Sequence, residues 1–141
     1  MTGEPARAAP RLSARRATAG VEFALASTVL LMLIFTAVDV GLLYLAQQAL
    51  NNGVAQAVRY AAVSSATSGS ASVTSRFVSA VTPALGAAEA AQCHVTVSYA
   101  PANAPGGSVT VQATLAWSPL IGFAYVPAVT LTSSQSLVIQ H

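Results

Sequence analysis

The chain has 141 residues, of which 54% are hydrophobic and only 7% charged, with a mean hydropathy of +0.61; a soluble domain carries about 25% charged residues. The formal net charge is +2, yet lysine is absent and four of the six basic residues (Arg7, Arg11, Arg15, Arg16) precede the first apolar run. That distribution, with no basic patch interleaved with aromatics, excludes a nucleic-acid footprint, and what remains after the apolar run suffices for one small domain.

Residues 1–14 hold Gly3, Pro5, Pro10 and several alanines without helical or strand periodicity, and read as a flexible basic leader. From Phe23 to Val38 no charge occurs, and apolar character resumes after Asp39 as far as Leu45. An α-helix needs about 20 such residues to cross a bilayer core, so Val21–Ala46 reads as membrane-spanning. Arginine crowds the N-terminal flank and next appears only at Arg59, which puts the N-terminus in the cytoplasm and the C-terminal portion across the membrane. A cleaved secretory signal fits less well, because the run exceeds the ~7–15 residues of a signal core and ends without a small-x-small site.

Two acids flank the run. Glu22 sits at its cytoplasmic edge, where a plain anchor gains nothing from a carboxylate and where intramembrane charge is costly unless paired. Cleavage after Ala17 would make Thr18 a new α-amino terminus and Glu22 the fifth residue of the product. A carboxylate and an ammonium desolvated together then attract strongly, whichever chain supplies the amine. Asp39 lies about 26 Å further along the helix, near the outer interface, either in the headgroup region or against a polar group of a neighbouring helix.

Arg15-Arg16, the small residue Ala17, Glu22 five residues into the product and Phe23 after it resemble the processing region of prepilins, and in particular the TadE-like minor pilins or pseudopilins of the tight adherence (Flp-type) pilus machinery. The departure is Ala17, where prepilin peptidases prefer Gly; cleavage after Gly20 instead would leave Glu22 second. The resemblance extends over Asn51–Val63, with Arg59-Tyr60-Ala61-Ala62-Val63, and over the C-terminal half. It implies Ala17 and Thr18 as the processing pair and Glu22, Phe23 and Asp39 as helix-assembly residues. Arg7, Arg11, Arg15 and Arg16 set the topology by charge. The implied partners are the lipid bilayer, a prepilin peptidase, other pilins or pseudopilins and assembly-platform proteins, at a bacterial inner membrane with the C-terminal domain periplasmic or carried into a pilus.

Past the span, Leu42, Leu45/Ala46, Ala49/Leu50, Val54, Ala57/Val58 and Ala61 recur at three-to-four spacing, with Gln47, Gln48, Asn51, Asn52, Gln56 and Arg59 opposite. The helix is therefore expected to continue to about Val63; Gly53 costs about 1 kcal/mol against Ala without breaking it. Ser64–Ser70 reads as a linker. A second helix follows, capped by Ser72 or Thr74, with Val73, Phe77, Val81 and Leu85 on its apolar face and Pro83 and Gly86 limiting it. Ala87–Gln92 is open between loop and a short helical turn.

From Cys93 the period becomes two. Cys93–Tyr99 and Val109–Trp117 read as strands joined by a Pro/Gly loop at 101–107, and Thr130–Gln140 as a third strand with Leu131, Leu137 and Ile139 on one face. The fold class is α+β: a long N-terminal helix, leader at 1–17 and helix at 18–63, then a domain at 64–141 with a second helix and a three-stranded antiparallel sheet. The apolar stretch Trp117–Pro127 either folds back as core or presents a patch.

Chemistry-bearing patterns are scarce. No phosphate loop, metal-ligand spacing or hydrolase elbow occurs, and Cys93 and His94, adjacent on a strand, point to opposite faces. No cofactor, metal, catalytic residue or small-molecule substrate is expected. The readings left are a pseudopilin or minor pilin assembled through its helix, and an uncleaved single-pass anchor carrying an interaction module of an envelope or secretion complex.

Overall fold

A computed structural model describes residues 11–64, 69–120 and 127–140, with side chains from Thr18 onward. The element order is α1 (Arg11–Val63), α2 (Ser70–Leu85), α3 (Ala87–Ala90), β1 (His94–Ala100), β2 (Ser108–Trp117) and β3 (Val129–Val138). The leader residues Met1–Pro10, including Arg7, most of the Ser64–Ser70 linker, the centre of the Trp117–Pro127 stretch and His141 lie outside the described residues.

The first helix is continuous over 53 residues and starts at Arg11, so residues 11–14, expected to be irregular, are helical. After Pro10 the sequence offers leucine, alanine and arginine, all strong helix formers, and no further proline interrupts it. The helix has two different surroundings. From Val21 to Val38 its large apolar side chains are exposed all round. Its hydroxyls are turned inward: Ser27 and Thr28 donate to the Ala24 carbonyl at 3.0 and 2.9 Å, and Thr36 to the Met32 carbonyl at 2.7 Å. With polar groups bonded within the helix itself, this stretch meets the demand hydrocarbon places on a backbone and its side chains. Thr18–Val63 contains a window of mean hydropathy 2.3, the one candidate span among the described residues.

The second half of α1 is the backbone of the domain. Ala46, Leu50, Val54, Ala57, Val58 and Ala61 form one buried stripe that packs against Val73, Phe77 and Val81 of α2 and against Val109, Val111, Ala113 and Leu115 of β2. The stripe starts earlier than the sequence suggested. Asp39 is already buried and Leu43 is packed on the core, so on that side of α1 the uncovered apolar surface ends at Val38. Val21–Val38 then rises about 27 Å at ~1.5 Å per residue, close to the ~30 Å of a hydrocarbon core.

The α1–α2 crossing is tight at Gly53. A Cβ there would lie 2.8 Å from Phe77 Cε2 and closer still to Val81 Cγ1. The glycine is thus a packing requirement as well as a tolerated weakness in the helix. The second helix begins two residues before Ser72, with Gly69 at the N-cap and no side-chain cap; the Ser72 hydroxyl instead donates back to the Gly69 carbonyl at 2.8 Å. Pro83 falls in its last turn, and Gly86, at φ +85°, closes it by donating its N–H to the Thr82 carbonyl at 2.9 Å. Ala87–Ala90 resolves as a single helical turn.

The sheet has the order β1-β2-β3 and is antiparallel throughout, with Val97 opposite Val111 and Leu115 opposite Leu131. Register is constant along both pairs, which keeps Val95, Val97, Tyr99 and the odd-numbered residues of β2 on the helix side. The outer face is almost entirely hydroxyl and amide: Thr96, Ser98, Thr110, Gln112, Thr132 and Ser134. Leu131 and Ile139 are buried as expected from the alternation, but Leu137 between them is 41% exposed. It lies at the far end of the sheet beside Val63 and Arg59, beyond the reach of α2. α1 also secures β3: the Gln47 side chain donates to the Thr132 carbonyl at 3.3 Å, and Gln140 N–H donates to the Ala62 carbonyl at 3.0 Å.

Candidate functional site

Two places on α1 hold the residues singled out by the sequence. At its N-terminal end Ala17 and Thr18 lie inside a continuous helix, and Thr18 and Glu22, four residues apart, share one face. Glu22 and Phe23 are both exposed, Phe23 to 74%. The backbone of Arg11, Arg15 and Arg16 is helical and precedes them by one to three turns, and their side chains are outside the described set. The domain begins to cover α1 only at Asp39, about 26 Å up the axis. Among the described residues, the domain therefore gives Glu22 no cover.

The second place is Asp39. The structure puts this carboxylate wholly inside the chain, where Oδ1 accepts the backbone N–H of Leu120 at 3.2 Å, across 81 residues of sequence. It therefore has a partner within its own chain, at the point where the exposed apolar stretch of α1 gives way to the half that packs on the domain. Asp39, Leu43, Ala46 and Leu50 recur at helical spacing, so the acid is the first member of the domain-facing stripe. That alignment was the available signal that its partner is intramolecular; the identity of the partner, an amide just beyond β2, was not readable. The described part of the apolar stretch folds back on α1: Trp117 is buried, while Leu120, held through its own N–H, leaves its side chain 78% exposed.

Cys93 and His94 do not form a reacting pair. His94 is exposed at the start of β1. Cys93 is half-buried in the turn before it, with Sγ 3.7 Å from the Glu89 carbonyl. Burial, and secondarily the negative charge of Glu89, push its thiol above the usual range, which makes it a poor nucleophile. Among the described residues no three His, Cys, Asp or Glu side chains gather as a metal site. What the arrangement presents is a long apolar helix face with an acid near its start, clamped to a small domain by a buried carboxylate.

Residues 18–59 match the family model described as TadE-like protein. No curated protein and no solved structure matches the chain. The matched segment begins at Thr18 and covers the exposed half of α1 and most of the half that packs on the domain; the sheet lies outside it.

Proposed function

We propose, from the TadE-like segment at residues 18–59, that this chain is a membrane-anchored component of a tight adherence pilus system, acting as a minor pilin or pseudopilin through its first helix. The observation that carries the reading is that the match begins in the stretch of α1 whose apolar surface is uncovered among the described residues. An uncovered apolar helix of this length is satisfied by lipid, by like helices, or by both in turn. The arginine asymmetry supports a cytoplasmic start and a sheet domain across the membrane.

In this reading a prepilin peptidase cuts after Ala17, the new terminus is Thr18, and the Glu22 carboxylate sets axial register by pairing with an ammonium as helices pack. The role is structural rather than catalytic: lipid holds the helix until assembly, and the domain chooses neighbours. Ala17, where the peptidases favour Gly, is the one feature that favours the second reading, an uncleaved anchor with a periplasmic interaction module.

Glu22→Gln separates the two. The neutral variant inserts as well as the native chain, since a carboxylate at the hydrocarbon edge costs free energy by itself. It leaves a partner ammonium unpaired in low dielectric, a penalty of several kcal/mol that helix packing in lipid hardly offsets. Crosslinking of membrane-extracted protein to pilus components and surface piliation should both fall sharply. Native levels of both in Glu22→Gln favour the simple anchor.

A further inference from the structure

Where the domain meets the top of the lipid-facing stretch, a groove of about 430 Å³ opens between α1, the α2–α3 corner and the segment after β2. Its size falls in the ~300–1,000 Å³ of small-molecule sites. The walls are apolar, with Leu42 and Leu45 from α1, Leu85 from the end of α2, and Trp117 and Leu120 from beyond β2. The segment after β2 is held by the Asp39–Leu120 hydrogen bond and by the burial of Trp117, so the wall is built rather than incidental.

Three observations select the occupant. Leu42 and Leu45 are exposed and continue the surface of Val38 and Ile34 without a polar break, so the groove is an extension of the lipid-facing face of α1. It lies at the outer end of the span, the height at which tryptophan is favoured in membrane proteins. Its single charged lining residue is Glu89. The two cations beyond the span, Arg59 and Arg76, lie together around Tyr60 at the far end of the domain, Arg59 about 26 Å along α1 from Leu42. The groove thus offers an apolar slot and one negative charge, with no cation to hold a phosphate. That chemistry fits an amphiphile with an acyl chain and a primary ammonium headgroup, and disfavours an anionic lipid.

We propose that this groove seats an acyl chain of an outer-leaflet phospholipid of the phosphatidylethanolamine type, with its ammonium against the Glu89 carboxylate. The bound lipid fixes how the domain stands on the membrane; the proposal rests on the reading of α1 as membrane-spanning.

The test uses Trp117, the only tryptophan in the chain. The full-length protein is placed in phosphatidylcholine nanodiscs doped with a small, fixed fraction of acyl-brominated phosphatidylethanolamine or, separately, brominated phosphatidylglycerol, and quenching of Trp117 is compared. The native chain should be quenched more by the ethanolamine lipid, by about two- to fivefold in apparent affinity, the range an exposed ion pair supports. Glu89→Gln should erase that preference while keeping acyl quenching. Ala84→Phe, which fills the groove from the exposed face of α2, should reduce quenching by both lipids, with a thermal melt confirming that the domain is folded. Equal quenching of the native chain by the two lipids, or a preference that survives Glu89→Gln, overturns the headgroup assignment. Quenching unchanged in folded Ala84→Phe overturns the groove, since Trp117 would then only be near the bilayer. Carbonate extraction of the same protein from vesicles is read alongside: a chain released by carbonate refutes the spanning helix itself, whereas a retained chain without quenching refutes the groove alone.

Discussion

Replacing Gly53 with alanine sets two effects of opposite sign against each other. In an isolated helix the substitution is favourable by about 1 kcal/mol, because glycine loses more backbone freedom. In this structure the added Cβ would stand 2.8 and 3.0 Å from two Phe77 ring carbons and nearer still to Val81 Cγ1. Carbon pairs rest at about 3.5–4.0 Å, so α1 and α2 must separate by roughly an ångström or Phe77 and Val81 must leave their rotamers. Both are wholly buried in the core between the helices and the sheet. Overpacking of this kind costs about 1–3 kcal/mol, occasionally more, and at its upper end outweighs the helix gain to leave a net loss of about 1–2 kcal/mol. For a domain of this size that lowers Tm by about 5–15 °C. The assay is thermal unfolding of the detergent-solubilised full chain followed by Trp117 fluorescence, since Trp117 packs in the same core. Val81→Ala in the Gly53→Ala background removes the nearest clashing carbon, so the double variant should be more stable than the sum of the single losses predicts, by about 1 kcal/mol. A Gly53→Ala chain as stable as the native one, or more so, would refute the close-crossing argument.

Asp39→Leu leaves the Leu120 N–H without its acceptor and should cost about 1–3 kcal/mol, whereas Asp39→Asn retains an acceptor and should lose less than about 1 kcal/mol; equal melting of the two variants would contradict the clamp. Cys93 should react with iodoacetamide more slowly than an unhindered cysteine near neutral pH, and its rate should rise only at higher pH, because burial and then the Glu89 charge both disfavour the thiolate. Glu89→Gln should shift that profile slightly toward lower pH; an unchanged or upward shift would remove Glu89 as a cause.

The long helix was legible because its signal is local. The uncharged run from Phe23 to Val38 and the three-to-four spacing from Leu42 to Ala61 each fix a face without reference to the rest of the chain. The strands were readable for the same reason, since Val95, Val97 and Val109 to Trp117 alternate with polar neighbours. What escaped depends on contacts between distant residues. Gly53 reads as a weakness until Phe77 and Val81 are laid across it. Asp39 reads as a headgroup acid or as a contact to a neighbouring helix until the amide of Leu120 reaches it from 81 residues away. Leu137 satisfies the strand pattern, yet it stays 41% exposed beside Arg59 and Val63 at the end of α1. The start of α2 lies earlier than Ser72 or Thr74 as caps would put it, because Gly69 stands at the N-cap without a side chain. At the candidate site, residue type and spacing single out Ala17, Thr18 and Glu22, and the roles proposed for them involve a peptidase and an amine of this or a neighbouring chain.

The central claim, a pilin-like helix trimmed before it packs, is tested most directly by the intact mass of the protein extracted from membranes of cells with and without an active prepilin peptidase. The account predicts a chain beginning at Thr18 when the peptidase is active and an uncut chain that keeps the arginine-rich leader when it is absent. A full-length chain in both would contradict processing at Ala17 and leave the uncleaved anchor as the description of this protein.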